Sequence, residues 1–179
     1  MVEAGAEVGV IDEQGRTPLL EASRAGSVEI FHALVEAGAE VGVIDEQGRT
    51  PLLEASRAGS VILCKDLIQA SAEVGVKDEQ GTTPLMEASR AGSVETCEIL
   101  VEASADVNAV RYDGASPMAL AILSHNEITT RLISKRMHSQ NMFNLASCVQ
   151  HMTRAFLKPT NIEGWLRDGI SPLALKGEI

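Results

Sequence analysis

The sequence predicts an all-α solenoid, a series of short helix pairs stacked one on the next, and three observations carry that prediction. Val2 to Val28 reappears letter for letter at Val35 to Val61, displaced by 33 residues. Thr-Pro stands at Thr17-Pro18, Thr50-Pro51 and Thr83-Pro84, and Ser116-Pro117 keeps the same step. Between these marks, apolar residues recur near helical spacing in runs too short for an isolated helix to persist in water. A fixed period in the range of about 20 to 50 residues marks supersecondary units that cover one another's apolar faces, and such stacks usually present a surface instead of enclosing an active site.

The second unit shows how each element arises. Asp45-Glu46-Gln47-Gly48 is a turn signal, with glycine available for positive φ. Thr50 suits a helix N-cap and Pro51 the first helical position. Leu52, Leu53, Ala55, Ser56 and Ala58 then form a short helix, Gly59 closes it, and Ser60 is placed to cap a second. In that second helix Val61, Leu63, Cys64, Leu67 and Ile68 supply the apolar positions. An extended return through Glu73-Val74-Gly75-Val76 leads to the next turn. Ala22, Ala55 and Ala88 fall at matching places, small enough to let adjacent helices approach closely.

These residues follow the pattern D-x-x-G-x-T-P-L, then A-x-x-x-G, then L-[VI]-x-x-[GS]-A-[DE]-V, and the chain closely resembles the ankyrin repeat over residues 1–136. The resemblance implies units of two antiparallel helices with a β-hairpin-like loop between units, stacked into a curved α-solenoid. It also implies a non-enzymatic role, binding another protein on the concave face made by the loop tips and first helices. Departures are specific. Leu20, Leu53 and Met86 stand where the family often has a histidine that ties the unit together, so apolar packing must replace those bonds. Ser71 and Ser104 replace the helix-terminating glycine, at a modest cost if the backbone needs left-handed geometry. Gly9, Gly42 and Gly75 replace the asparagine that Asn108 retains. Leu132-Ile133 reads as a 32-residue step from Leu100-Val101, which would leave the fourth unit's second helix one residue short.

The organisation expected is an array over 1–136, an inserted amphipathic helix within 137–158, and a partial fifth unit over 159–179. In the insert, Met142, Leu145, Val149, Met152 and Phe156 align along one helical face, and Pro159 ends the run. That face either packs on the last units as a cap or docks a partner. Asn161 to Pro172 aligns without gaps on Asp106 to Pro117. Both ends of the sequence cut through a unit, as in a fragment of a longer protein or an array whose ends a partner covers.

Charge is uneven. Residues 1–110 hold 20 acids and 7 bases, a net −13, whereas residues 111–179 hold 5 acids and 8 bases, a net +3. An acidic array repels phosphate backbones and favours a partner with a basic patch. No apolar run reaches the roughly 18 to 20 residues that span a bilayer, and the first residues lack the pattern of a secretory signal. An intracellular protein, cytoplasmic or nuclear, without a membrane or nucleic-acid partner is the expectation.

Catalytic chemistry has no signature. Cys64 and Cys97 fill one site in successive units and read as small buried side chains, while Cys148 and His151, with His138 upstream, complete no metal-binding motif. The glycines recur with the turns, which gives no phosphate-binding loop. The carboxylates recur as ladders, a pattern that describes a solvated face better than a poised acid/base pair. No cofactor, metal or small-molecule substrate is expected. Under the resemblance, Glu21, Arg24, Glu54, Arg57, Glu87 and Arg90 project from the first helices toward the concave face, where opposite charges satisfy one another or a partner. In the fourth unit Leu120 and Leu123 take those positions, Tyr112 takes the loop tip in place of Glu13, Glu46 and Glu79, and Trp165 falls in the following hairpin. Exposed Tyr and Trp are favoured anchors, although burial against the insert is the alternative for both. The expected function is therefore an adaptor or scaffold whose contacts concentrate in the fourth unit. A recruiting fragment of a larger enzyme, such as a ubiquitin ligase or kinase, and a recently duplicated fragment without function are the alternatives. Asn108 lies in a sequence similar to the ankyrin hairpins in which asparagine is hydroxylated, and turn geometry also favours Asn there.

Overall fold

A computed structural model describes residues 8–139, with side chains to residue 137. Among the described residues there are eight helices: α1 (Pro18–Ala25), α2 (Val28–Glu36), α3 (Pro51–Ala58), α4 (Val61–Gln69), α5 (Pro84–Ala91), α6 (Val94–Glu102), α7 (Pro117–Leu123) and α8 (Glu127–Ser139). The inserted segment beyond Ser139 and the partial fifth unit lie outside the described residues.

Each first helix begins as the sequence predicts. Thr17, Thr50, Thr83 and Ser116 hold extended backbones, and their hydroxyls accept from the amides of Leu20, Leu53, Met86 and Ala119 at 3.2 to 3.3 Å. Proline follows at the first helical position, where no amide is needed. Gly26, Gly59 and Gly92 close α1, α3 and α5 at φ 66, 67 and 71°, in the left-handed region. The residue at that step in the fourth unit is His125, which takes φ 54° without glycine's freedom.

The second helices depart from expectation at their starts and, in the fourth unit, in their length. Ser27, Ser60 and Ser93 precede them, yet none of these hydroxyls makes a capping bond to the helix. Asn126 does cap: its side-chain oxygen accepts from the Thr129 amide at 2.9 Å, and its amide nitrogen donates to the Gly92 carbonyl at 2.6 Å. At the other end, Ser71 and Ser104 adopt φ 64 and 68°, as their glycine-equivalent position requires. The expected shortening of the fourth unit is overturned. Fully buried Ile133 takes the place of Leu34, Leu67 and Leu100, so the 33-residue step is intact. α8 has 13 residues against 9 in α6, and its last turns bury Met137 in the same core.

Two helical layers result. α1, α3, α5 and α7 pack in series, α2, α4, α6 and α8 form the second layer, and each pair closes on itself. Leu19, Leu52, Leu85 and Met118 meet the core from the first layer, while Phe31, Cys64 and Cys97 meet it from the second. The alanines at 22, 55, 88 and 121 are buried between first helices, and with no side chain beyond Cβ they let these helices stand closer than the second ones. Closer spacing on one side bends the stack toward the first helices. Ser56 and Ser89 hydroxyls donate to the Leu52 and Leu85 carbonyls at 2.7 and 2.6 Å, next to the buried thiols of Cys64 and Cys97. Burial pushes both thiols up to about 11, so they remain protonated packing groups.

The loops contain no strand among the described residues. They are turns laced in register: Asp12 and Asp45 each accept two backbone amides with Oδ1, from Gln14 and Arg16 and from Gln47 and Arg49. Successive tips are joined by one backbone bond, from Glu46 to the Gln14 carbonyl, Glu79 to Gln47 and Tyr112 to Gln80, at 3.0 to 3.1 Å. This is a hairpin-like row without a continuous ladder. It fixes the tips at even spacing above the first helices.

Candidate interaction surface

The tip row and the exposed edges of the first helices form one side of the stack. Along the row, Glu13, Glu46 and Glu79 are exposed, and each lies outside its turn's internal bonds. Tyr112 takes the same place and is 79 % exposed, while the insert that was its alternative burial partner lies outside the described residues. Its ring lies over Gly81, where a β-carbon would meet the ring at 3.4 Å. Gly81 itself holds φ 79°. The tyrosine is therefore seated from below while its outer face stays open.

Behind the tips, the charged ladder is a bonded network. Arg24 pairs with Glu21 at 2.6 Å and Arg90 with Glu87 at 2.5 Å, each within one helix turn. Arg57 bridges helices, lying 3.3 Å from Glu54 and 3.4 Å from Glu87. The expectation of a solvated face holds for Glu21, Arg24 and Arg90, and fails for Glu54, which is 0 % exposed, and for nearly buried Glu87. Neighbouring units sandwich α3, and the carboxylate of Glu54 is enclosed with it. Arg49 and Arg57 lie 3.5 and 3.3 Å away without hydrogen-bond geometry, and neither Glu54 oxygen has a hydrogen-bond donor. Desolvation is the larger influence and raises the Glu54 pKa, against the lowering effect of Arg57, Arg49 and Arg24.

The fourth unit ends this ladder. Leu120 is only 6 % exposed and packs with Met86, Ala109 and Ala115, so it is interior, not a free contact residue. Its burial matches that of Glu54 and Glu87 at the same step, so the position itself is enclosed, whether charged or apolar. Leu123 remains 37 % exposed. Arg111 pairs with Asp113 through both its Nε and Nη2, and that pairing holds Asp113 down at about 2. The open apolar ground at this end is thus Tyr112 and Leu123. Trp165 lies outside the described residues. Asn108 is half-buried in the preceding turn, its backbone amide donating to Asp106 Oδ1 at 2.9 Å.

A family model described as ankyrin repeats, in three copies, matches residues 1–78 and again residues 59–144. The chain belongs to the ankyrin-repeat family. Ankyrin repeats are generally protein–protein interaction modules and typically not enzymes. A search of curated proteins returns no match. Among the described residues no helix is long and apolar enough to cross a membrane. The described residues also contain no group of three or more His, Cys, Asp or Glu side chains arranged to hold a metal ion, and Cys148 and His151 lie outside them.

Sequence reasoning missed two features of this side. The burial of Glu54 comes from packing: among the described residues α3 has a first helix on each flank, whereas α1 has one. The role of Asn126 had a signal: at the step held by serines 27, 60 and 93, asparagine offers an acceptor oxygen and a separate donor nitrogen on a longer side chain.

Proposed function

We propose that this ankyrin array is a non-enzymatic adaptor or scaffold that holds a partner protein against the side formed by its loop tips and first helices. One observation carries the reading: the acidic row of tips ends in a tyrosine that is 79 % exposed, in the unit whose first helix ends on part-exposed Leu123. An exposed aromatic whose ring already rests on its own chain, as Tyr112 does on Gly81, has one face packed before a partner covers the other. The acidic tips Glu13, Glu46 and Glu79 favour a partner with a basic patch and would accelerate its approach. Glu21, Arg24, Glu54, Arg57, Glu87 and Arg90 act chiefly as the rigid floor of this site, and Leu120 supports it from beneath. The stack's preorganisation, and not the breadth of contact, supplies the affinity. A cytoplasmic or nuclear location fits this role.

The test is affinity capture from cell extract with the full chain, comparing wild type with Tyr112→Ala and Leu123→Ala. Selective loss of the same captured proteins in both variants is the expected result. Unchanged capture in both would move the contact surface away from the fourth unit. Hydroxylation of Asn108 is a separate proposal, read from the resemblance of its turn. A mass increase of one oxygen located at Asn108 in cell-derived protein is the expected observation, and its absence would remove the proposal.

A further inference from the structure

The second-helix layer changes character between its last two members. On α6, Glu95, Glu98 and Glu102 stand exposed on one helical face. One 33-residue step on, α8 carries Ile128, Arg131 and Lys135 at the same places, all three exposed. Two acids have become bases, and the third is an isoleucine that is 66 % exposed. An open groove of about 510 Å³ runs between the two helices. Ile128, Arg131, Leu132 and Lys135 line it from α8, at i, i+3, i+4 and i+7, while Glu98 and Val101 line it from α6. Its floor is apolar: Val101 belongs to the core, and half-buried Leu132 packs against that core. Arg136 adds a further base to the lining.

Structural roles account for part of this. Bases toward the end of α8 suit the helix dipole, which covers Lys135 and Arg136. Arg131 pairs with Glu127 at 2.5 Å, yet 75 % of its side chain stays in solvent, and an exposed pair one turn apart contributes little. Neither role explains an exposed isoleucine continuous with Leu132 along a groove lined by bases.

We propose that the α6/α8 groove docks an acidic amphipathic helix of a partner protein, with its apolar side on Ile128, Leu132 and Val101 and its carboxylates on Arg131 and Lys135. Charge selects this occupant. Residues 140–158 of this chain have an apolar periodicity that suits the floor, but they contain no Asp or Glu and carry Arg154 and Lys158, which repeat the sign of the rim. A small ligand would leave much of its surface in water in so open a groove. An amphipathic helix instead brings anchors at i, i+3, i+4 and i+7, the spacing that α8 itself offers. Glu98 on the opposite rim orients the occupant, since its acids lie on the α8 side. The groove belongs to the second helices, away from the tip row, so the inference goes beyond the interaction surface proposed above and does not depend on it. An array with acidic tips and a basic, apolar groove on its other layer can join partners of opposite charge.

The probe is the amphipathic peptide acetyl-(Glu-Leu-Leu-Glu)3-amide, with acetyl-(Lys-Leu-Leu-Lys)3-amide as its charge-reversed counterpart. Each is titrated into the isotope-labelled full chain, and backbone amides are followed by NMR. Saturable shifts at Val101, Ile128, Leu132 and Lys135 with the acidic peptide only are the expected result, weakening as salt rises from about 50 to about 300 mM. The triple variant Ile128→Glu, Arg131→Glu, Lys135→Glu gives α8 the exposed face that α6 already has, and should fold as α6 does. It should weaken the acidic peptide by at least about tenfold. Lys135→Glu alone, which keeps the pair of Arg131 with Glu127, should act in the same direction, and Tyr112→Ala should leave the affinity unchanged. Equal shifts with the lysine peptide, or unchanged affinity in both charge-reversal variants, would overturn the proposal. So would evidence for another occupant. Absence of any response in the full chain would mean that the groove is closed to a partner. Shifts of the same amides on dilution of the protein alone would assign the groove to a second copy. Shifts with vesicles of equal phosphatidylcholine and phosphatidylserine, but not with peptide, would assign it to an anionic lipid surface.

Discussion

The second and fourth units share a backbone and use it differently. Both open on a hydroxyl cap and proline, Thr50-Pro51 and Ser116-Pro117, and both bury alanine where first helices touch, at Ala55 and Ala121. Their second helices present Leu67 and Ile133 at one core position. Away from these points they diverge. Glu54 and Arg57 become Leu120 and Leu123, Ser56 becomes Ile122, Gly59 becomes His125, and Glu46 becomes Tyr112. The fold is thus set by a small number of caps and small or branched apolar residues, and the rest is free to change the face. The fourth unit exchanges a charged face, in which the Glu54 carboxylate is enclosed without a hydrogen-bond donor, for an apolar one, and accepts an unfavourable helix end.

The largest effect is expected where the two units agree. Leu67→Ala should destabilise by about 2 to 5 kcal/mol, because a fully buried side chain is removed between two neighbours that cannot both collapse on the gap. Ile133→Val, at the same position, should cost only about 0.5 to 1.5 kcal/mol. Urea unfolding followed by circular dichroism measures both. Equal small losses would mean that the core is not continuous between the units.

The helix ends come next, and there the comparison predicts opposite signs. Gly59→Ala places a side chain at φ 67°, where space is not limiting, since its β-carbon would lie 3.6 Å from the Ser93 β-carbon. Conformation alone should cost about 1 to 2 kcal/mol. His125→Gly at φ 54° should instead stabilise by several tenths to about 1 kcal/mol, the left-handed strain being relieved and part of the gain returned as unfolded-state entropy. If His125→Gly were destabilising, the histidine's own contacts would outweigh its backbone strain.

Smaller still is the difference between caps. Asn126→Ala removes the bonds to the Thr129 amide and the Gly92 carbonyl and should cost about 1 kcal/mol. Ser60→Ala removes no capping bond and should stay within about 0.5 kcal/mol of wild type. A chemical-melt series on the two single variants separates them. Equal costs would show that Ser60 caps its helix in solution.

These residues also show what a linear reading can reach. The caps, the closing glycines and the register of Leu34, Leu67 and Leu100 are legible because each depends on its own unit and on a step repeated along the chain. Tyr112 and Leu123 were legible as interruptions of that repetition. Burial of Glu54 and of Leu120 was not, because it depends on how tightly a neighbouring unit closes, which identical letters do not record. Glu21 and Glu54 have the same sequence context and different exposure for that reason. The 32-residue reading of α8 failed similarly: an apolar pair admits two registers, and only the packing of Ile133 against the core selects one.

Glu54 gives the finest test of the contrast between units. Its folded pKa is raised, so the native state binds this proton more tightly than the unfolded chain does. For such a group the slope of stability against pH is negative between the unfolded and folded pKa values. The cost of the buried charge is absent below the ordinary glutamate value of 4.5, grows as pH rises through the raised folded value, and is complete above it. Glu54→Gln carries no such cost at any pH. Its arginines are not stranded, because Arg49 keeps Asp45 and Arg57 keeps Glu87. The variant should therefore match wild type near pH 4 and exceed it at pH 7.5 by up to about 1 kcal/mol, in keeping with buried ion pairs whose replacement is neutral or mildly stabilising. Paired urea melts at the two pH values give the difference directly, and the other carboxylates cancel between the two proteins. A variant less stable than wild type at pH 7.5 would show that attraction to Arg57 and Arg49 exceeds desolvation. The charged ladder of the first three units would then be a source of stability that the fourth unit gave up when it acquired Leu120.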